Sequence, residues 1–191
     1  CEKTGIKYAC SVWDVVSANE IISVNPDYIK LPSAMNNNFE LIEHVYRKYN
    51  GNIHVSLGMA TKKEQKELLN YIGPFFNRTV LYWTTSGYPV KFEELFLLEI
   101  QKLDKFKCQI GYSGHHLGIA VDVVAYTLGA TWIERHFTLD RTWKGTDQAA
   151  SLEPSGLQKL CRDLKACQKS LKFKKSITQD EKENRKKLRI K

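Results

Sequence analysis

The stretch that decides the predicted fold is residues 110–154, which read IGYSGHHLGIAVDVVAYTLGATWIERHFTLDRTWKGTDQAASLEP. Its apolar residues predict a helix over 117–128, ended by Gly129, between two short runs that are typical of strands. In such a βαβ unit the two strands are parallel, so their carboxyl ends open on the same side of the sheet. We therefore expect the polar residues at those ends, His115 and His136 among them, to converge.

Two imidazoles at one edge of a sheet suit a divalent cation, which makes His115 and His136 candidate metal ligands. A single histidine near a strand end is more often a hydrogen-bonded structural residue. On spacing alone, that alternative stays open for each of the two. His116 is a weaker candidate than either.

The remainder of the chain repeats this alternation of strand and helix. Strands are predicted over residues 6–12, 27–31, 52–57, 79–84, 107–112 and 131–137. Helices are predicted over residues 17–23, 39–49, 61–72, 92–103, 117–128 and from Pro154 onward. Thr61 and Glu64 have the spacing of a capping box. Six strand-helix units in this order predict an α/β fold with a parallel sheet and helices outside it.

A hydroxyl or imidazole group stands where each predicted strand gives way to its loop. These residues are Ser11, Ser33, Ser56, Thr85 with Ser86, Ser113 and His136. In a β/α barrel the loops after the strands converge on one face, and active sites lie there. The alternative is that the serines and threonines only cap the helices that follow them.

Length and composition restrict the class of protein. A chain of 191 residues that is 42% hydrophobic can bury a core as one domain, and no apolar run is long enough to span a bilayer. The five cysteines are odd in number and lack Cys-x-x-Cys spacing, so we expect reduced core residues rather than disulfides or a zinc site. These features predict a soluble cytoplasmic protein without a membrane partner.

The net charge of +8 is concentrated at the carboxyl end. Residues 162–191 carry 12 basic and 4 acidic side chains, which accounts for the whole excess. The basic run 182–191 is typical of a solvated helix face or a linker, with a contact to a polyanion as the alternative. Because the rest of the chain is neutral and interleaves no aromatic with basic residues, we expect no nucleic-acid partner.

Three segments, GYSGHHLGIAV, IERHFTLDRTWKGTD and ASLEP, resemble the signature region of the sialic acid synthase (N-acetylneuraminate synthase) family. The resemblance implies a TIM (β/α)8-type barrel. This chain would supply six of its strand-helix units, the third to the eighth, and lack the first two strands. We accordingly expect a partial barrel catalytic domain at residues 1–171 and a basic tail or linker at residues 172–191.

The resemblance also implies an activity. Family members are transferases that condense phosphoenolpyruvate with N-acetylmannosamine or a related sugar, with or without a 6-phosphate. The product is a nonulosonic acid, and phosphate is released. Family members are usually dimers, which makes a homodimer one candidate assembly.

Roles for individual residues follow from the same resemblance. His115 and His136 match the two metal ligands, and the expected cation is Mn²⁺, with Mg²⁺ as the alternative. Glu134 would orient a metal-bound water or, equally, pair with a Lys or Arg side chain. The positions that match substrate-binding residues are Ser11, Ser33, Ser56, Ser86, Tyr88, Ser113 and Asp147.

Two positions depart from the family pattern. Met35 stands where the family usually has an acidic residue, and Gln148 stands where it often has histidine. These departures and the missing strands keep two alternatives open. One is a non-catalytic or truncated remnant that binds phosphoenolpyruvate or a sugar phosphate. The other is a different phosphoenolpyruvate-dependent aldol-type synthase.

Overall fold

Six short parallel strands form one sheet in the order of the chain. In this computed structural model, which describes residues 1–189, they are β1 (Ala9–Ser11), β2 (Tyr28–Leu31), β3 (Asn52–Ser56), β4 (Thr79–Trp83), β5 (Gln109–Gly114) and β6 (Trp132–Arg135). Each strand pairs with the next in parallel, from Ala9 against Tyr28 to Gly111 against Trp132. Within residues 1–189, β1 and β6 do not pair, so the sheet is an open, curled part of a barrel. The predicted α/β barrel class is confirmed.

Helices connect the strands and cover the outside of the sheet. They are α1 (Val15–Ser23), α2 (Phe39–Lys48), α3 (Lys62–Ile72), α4 (Ala120–Thr127), α5 (Pro154–Ser170) and α6 (Gln179–Leu188). The predicted capping box starts α3, where the Thr61 hydroxyl accepts from the Glu64 amide and the Glu64 carboxylate accepts from the Thr61 amide. α6 lies in the predicted tail and is exposed. The last two residues of that predicted tail lie outside the described residues.

The predicted helix at residues 92–103 is wrong. The chain forms two 3-10 segments, Phe92–Glu94 and Leu97–Phe106, separated by Phe96 at a φ of 46°. Side chains at the end of β4 take two of the carbonyls that an α-helix would use. Trp83 Nε1 donates to the Leu95 carbonyl at 2.9 Å, and Thr85 Oγ1 donates to the Glu94 carbonyl at 2.8 Å.

The boundaries of all three elements in the βαβ unit of residues 110–154 differ from their predictions, and the last strand ends at Arg135 instead of residue 137. β5 starts and ends two residues later than expected, after Lys107 closes the preceding segment at a φ of 53°. Ser113 therefore lies inside the strand. α4 starts at Ala120 because Gly118 adopts a φ of +78°. The loop before it is held by Arg135, which donates to the His116 and Gly118 carbonyls.

The main core lies between the outer face of the sheet and the helices. Ile29, Leu31, Ile53 and Val55 point outward from β2 and β3 and are fully buried against Leu41, Ile42, Val45, Leu68 and Ile72. Because side chains alternate along a strand, Lys30, His54 and Ser56 point to the opposite, inner face. The inner face of this sheet therefore carries polar chemistry, while the outer face holds the helices.

One expectation about burial is corrected. All five cysteines have free thiols in the described chain, yet none is fully buried: Cys1 and Cys161 are exposed, and Cys10, Cys108 and Cys167 are partly buried. No helix in the described part of the chain combines the length and the apolar character needed to cross a membrane.

Candidate active site

A cavity of about 340 Å³ opens at the carboxyl ends of the strands. Nine of the ten site residues predicted from the sequence line it: Ser11, Ser33, Ser56, Tyr88, Ser113, His115, Glu134, His136 and Asp147. The tenth, Ser86, lies directly behind this wall. The structure therefore gathers all the predicted positions in one place, as expected for the loop end of a parallel barrel.

His115 follows β5 and is almost fully buried, with 5% of its surface exposed. Its Nδ1 lies 2.9 Å from the carbonyl oxygen of Thr85. Because a carbonyl only accepts, Nδ1 carries the proton and Nε2 keeps a free lone pair. Burial lowers the pKa of His115 to about 4. The ring is therefore neutral at physiological pH, which is the form that binds metal ions.

His136 follows β6, and its ring centroid lies 5.2 Å from that of His115. The Tyr88 ring packs against both imidazoles, at 4.4 Å from His115 and 5.5 Å from His136. Asp147 lies on the outer side, with its Oδ2 3.7 Å from His136 Nδ1. The two histidines converge as the βαβ unit predicts.

The donor set of this pair fits a divalent cation only with help from other ligands. Two imidazole side chains next to each other suit Mn²⁺, and oxygen donors line the rest of the cavity. Within the described residues, no group of three or more His, Cys, Asp or Glu side chains has metal-binding spacing. A cation would therefore rest on His115 and His136, with substrate and water oxygens completing its shell.

Glu134 is engaged by two neighbours on the inner face. Lys30 Nζ forms an ion pair with its Oε1, and the Ser113 hydroxyl donates to the same oxygen at 2.7 Å. Burial alone would raise the pKa of Glu134, but the Lys30 ammonium and the Ser113 hydroxyl outweigh it and hold the pKa below its usual value. Of the two roles left open by the sequence, the structure shows the pairing with a lysine.

Lys30 is the main residue that the sequence reasoning missed. It lies in the middle of β2, between Ile29 and Leu31, and its side chain is only 15% exposed. The sequence signal for Lys30 was a charged residue between two apolar core residues of a short strand. Because side chains alternate along a strand, such a residue points to the inside of the barrel. It brings a buried positive charge into the cavity.

Hydroxyl groups and one glycine form another wall of the site. A Cβ on Gly58 would meet Ser33 Oγ and Ser86 Oγ at 2.6 Å each, so only glycine fits between them. The Asn36 amide holds this turn by donating to the Ser56 and Gly58 carbonyls, at 3.1 and 2.8 Å. Ser86 Oγ is buried and has no hydrogen-bond partner within residues 1–189.

The two positions that depart from the expected pattern lie away from the cavity wall. Met35 packs against the hydrophobic core, so this position supplies no carboxylate to the cavity. Gln148 begins the 3-10 turn Gln148–Ala150 and packs against Gly145. At the mouth, Trp13 and Met59 are 55% and 66% exposed and give the cavity an apolar rim.

Comparison with known proteins decides the family. The model of the NeuB family matches residues 1–176. The chain belongs to the NeuB family. It is 35% identical over 172 residues to human N-acetylneuraminate-9-phosphate synthase, a match that covers 89% of this chain and 48% of the human protein. It is 36% identical over 175 residues to N,N'-diacetyllegionaminic acid synthase of Campylobacter jejuni, with 89% and 52% covered.

Solved structures of the NeuB family agree with the fold. The N-acetylneuraminic acid (sialic acid) synthetase of Leptospira borgpetersenii serovar Hardjo-bovis, crystallised with citrate, superposes with a TM-score of 0.85 at 30% identity. That match covers 100% of this chain and 68% of the Leptospira chain. The chain spans about half the length of the curated NeuB-family relatives it matches.

Proposed function

We propose that this NeuB-family chain carries the reacting face of a nonulosonic acid synthase that condenses phosphoenolpyruvate with an N-acylmannosamine-type sugar. Its relatives include synthases of sialic, legionaminic and pseudaminic acids, which supports the synthase class. The observation that carries the proposal is one cavity in which the His115–His136 pair faces the Lys30–Glu134–Ser113 group.

The cavity suits the charge of phosphoenolpyruvate. Its phosphate and carboxylate need several donors, and charge-assisted hydrogen bonds are the strongest of these. Lys30 supplies a partly buried ammonium, and Ser86 supplies a hydroxyl that no residue in the described chain occupies. Further hydroxyls around them come from Ser11, Ser33 and Ser56, whereas the single proton of the Ser113 hydroxyl is donated to Glu134.

The histidine pair suits the aldehyde of the open-chain sugar. His115 and His136 would hold Mn²⁺, with Mg²⁺ as the alternative, and a bound cation polarises a carbonyl as a Lewis acid. Tyr88 packs against both rings. Burial, with the carboxylates of Asp147 and Glu134, raises the pKa of Tyr88, so its phenol stays protonated and can donate to the sugar's acyl group. Asp147 would accept from sugar hydroxyls.

The reaction forms a carbon–carbon bond between C3 of phosphoenolpyruvate and the sugar aldehyde. Water then adds at C2, and phosphate leaves with cleavage of its C–O bond. Glu134 contributes by fixing Lys30, whose ammonium holds the anionic substrate during both steps. The Tyr88 ring excludes water from one side of the histidine pair.

The test is phosphate release from phosphoenolpyruvate, with and without Mn²⁺, across a panel of acceptors. The panel contains N-acetylmannosamine, its 6-phosphate, mannose 6-phosphate and the precursor of a legionaminic-type sugar. It is run on this chain and on a version extended upstream in its reading frame. Release that needs both Mn²⁺ and one sugar supports the proposal and names the acceptor.

A second candidate is a binding protein without turnover, and Met35 favours it. Its partly buried side chain packs against the core, at the position where the family resemblance implies a carboxylate. This candidate predicts that phosphoenolpyruvate or a sugar phosphate raises the Tm while no phosphate is released under any condition. The same acceptor panel therefore separates the two candidates.

A further inference from the structure

Arg135 is the last residue of β6 and lies between the two site residues Glu134 and His136. Because strand side chains alternate, its guanidinium lies on the face opposite to the Glu134 carboxylate. The side chain is 2% exposed. It donates to Asp122 Oδ2 at 2.6 Å, the His116 carbonyl at 2.6 Å, the Gly118 carbonyl at 2.8 Å and the Ala150 carbonyl at 3.3 Å, and its Nη1 also lies 3.3 Å from His116 Nε2.

These four groups belong to two separate segments of the chain. His116 and Gly118 lie in the loop from β5 to α4, and Asp122 lies in the first turn of α4. Ala150 ends the 3-10 turn that precedes α5. One planar guanidinium therefore ties the loop that follows His115 to the loop that follows His136.

The position of each imidazole depends on the hydrogen bonds of Arg135 and on one further hydrogen bond. The His116 carbonyl, adjacent to His115, is fixed by Arg135, while the His115 ring bonds to the Thr85 carbonyl. The His136 carbonyl accepts from the Leu152 amide at 2.8 Å, two residues beyond the Ala150 carbonyl that Arg135 also fixes. A shift of the guanidinium would move both loops and change the separation of the two rings.

The buried charges of this cluster do not indicate that it stabilises the fold. Asp122 and His116 are fully buried, and Asp122 Oδ2 lies 3.4 Å from His116 Nε2. Asp122 Oδ1 and Arg135 Nε have no hydrogen-bond partner within residues 1–189. Buried ion pairs of this kind are often no more stabilising than apolar side chains of the same volume. What such a cluster provides is a fixed geometry.

We propose that Arg135, neutralised by Asp122, is a positioning residue that sets the orientation and separation of His115 and His136 for cation binding. The inference rests on the function proposed above for that pair. Outer contacts that orient ligands in this way typically change metal affinity by about 10- to 100-fold when they are removed.

The experiment compares three variants of the protein as expressed from its gene. Arg135→Met alone leaves Asp122 buried without its partner and should lower the Tm. The double variant Asp122→Leu with Arg135→Met removes both charges and keeps the volume. The matched control is Arg78→Met, which removes a guanidinium that donates to the Tyr46 and Tyr49 carbonyls far from the cavity. Each protein is measured for Tm and for the Kd of Mn²⁺ by electron paramagnetic resonance.

We expect the double variant to keep a Tm near that of the wild type while its Kd for Mn²⁺ rises about tenfold or more. Arg78→Met should lower the Tm and leave the Kd unchanged. A folded double variant that binds Mn²⁺ as tightly as the wild type would overturn the proposal.

A second readout needs no metal. Ring ¹⁵N shifts in the metal-free wild type should show His115 protonated at Nδ1, and the double variant should show a mixture of tautomers. If the wild type binds no Mn²⁺, the metal part of the proposed function fails. The ¹⁵N comparison still decides the positioning role, because an unchanged His115 tautomer in the double variant would refute it.

Discussion

The Nδ1 of His115 lies 2.9 Å from the carbonyl oxygen of Thr85, and this bond determines which nitrogen of the ring is free. It joins the loop after β4 to the loop after β5 and, together with the bond from Arg135 to the His116 carbonyl, orients the imidazole. The free Nε2 is left for a ligand beside His136, whose ring is 5.2 Å away between centroids.

Replacing His136 with alanine should abolish metal-dependent turnover and leave the fold intact. The side chain is 36% exposed at the mouth of the cavity, so its loss should change the free energy of unfolding by less than about 1 kcal/mol. Turnover and Tm measured on the same preparation check both halves of this prediction. An unfolded variant, or turnover that survives, would show that His136 is not a ligand.

Replacing Lys30 with methionine should leave the Glu134 carboxylate in the cavity without its cation. We expect a loss of about 1–3 kcal/mol of stability and a higher KM for phosphoenolpyruvate. The control is Glu134→Gln, alone and combined with Lys30→Met. A coupling free energy below about 0.5 kcal/mol in this cycle would mean that the pair is not formed in solution.

Replacing Gly58 with alanine should disturb the hydroxyl wall. The new Cβ would lie 2.6 Å from both Ser33 Oγ and Ser86 Oγ, so we expect a loss of about 1–3 kcal/mol and a weaker affinity for phosphoenolpyruvate. Gly73→Ala is the matched control, because its Cβ would meet nothing closer than 4.0 Å. Equal effects of the two substitutions on phosphoenolpyruvate affinity would mean that the Ser33 and Ser86 hydroxyls around Gly58 do not contribute to binding.

Stability should fall as the pH is lowered from about 6.5 to 4. Burial lowers the pKa of His54 to about 4, as it does for His115, whereas both titrate near 6.5 in the unfolded chain. The unfolded chain therefore binds protons first, which favours unfolding by up to about 1.4 kcal/mol per pH unit for each group. Tm measured against pH should show this slope, and His54→Phe should make it shallower. A flat Tm over this range would contradict the burial of these rings.

The sequence predicted most of this fold because its signals are local. Alternating apolar runs located all six strands, and the polar residues after them located the cavity. The failures arose where distant groups compete with local preference. Trp83 and Thr85 take the carbonyls that residues 92–103 would need for an α-helix, and no pattern within that segment shows it.

The candidate site was predictable in its members but not in its contacts. Polar residues at strand ends identified His115 and Ser113, and the family resemblance identified Glu134, yet the pairing of Glu134 with Lys30 spans 104 residues. Lys30 was missed because the reasoning followed strand ends, and this lysine lies inside a strand. Arg135 lies in the quoted segment IERHFTLDRTWKGTD. Its partners, however, come from two chain segments that are brought together only in the folded structure.

The central claim is tested most directly with phosphoenolpyruvate that carries ¹⁸O in its bridging C–O position. The protein, Mn²⁺ and each sugar of the acceptor panel are incubated with it, and the released phosphate is analysed by mass spectrometry. We predict labelled phosphate that forms only when both Mn²⁺ and one sugar are present. No phosphate from a folded protein with any sugar, or label retained in the keto acid, would contradict a synthase of this class.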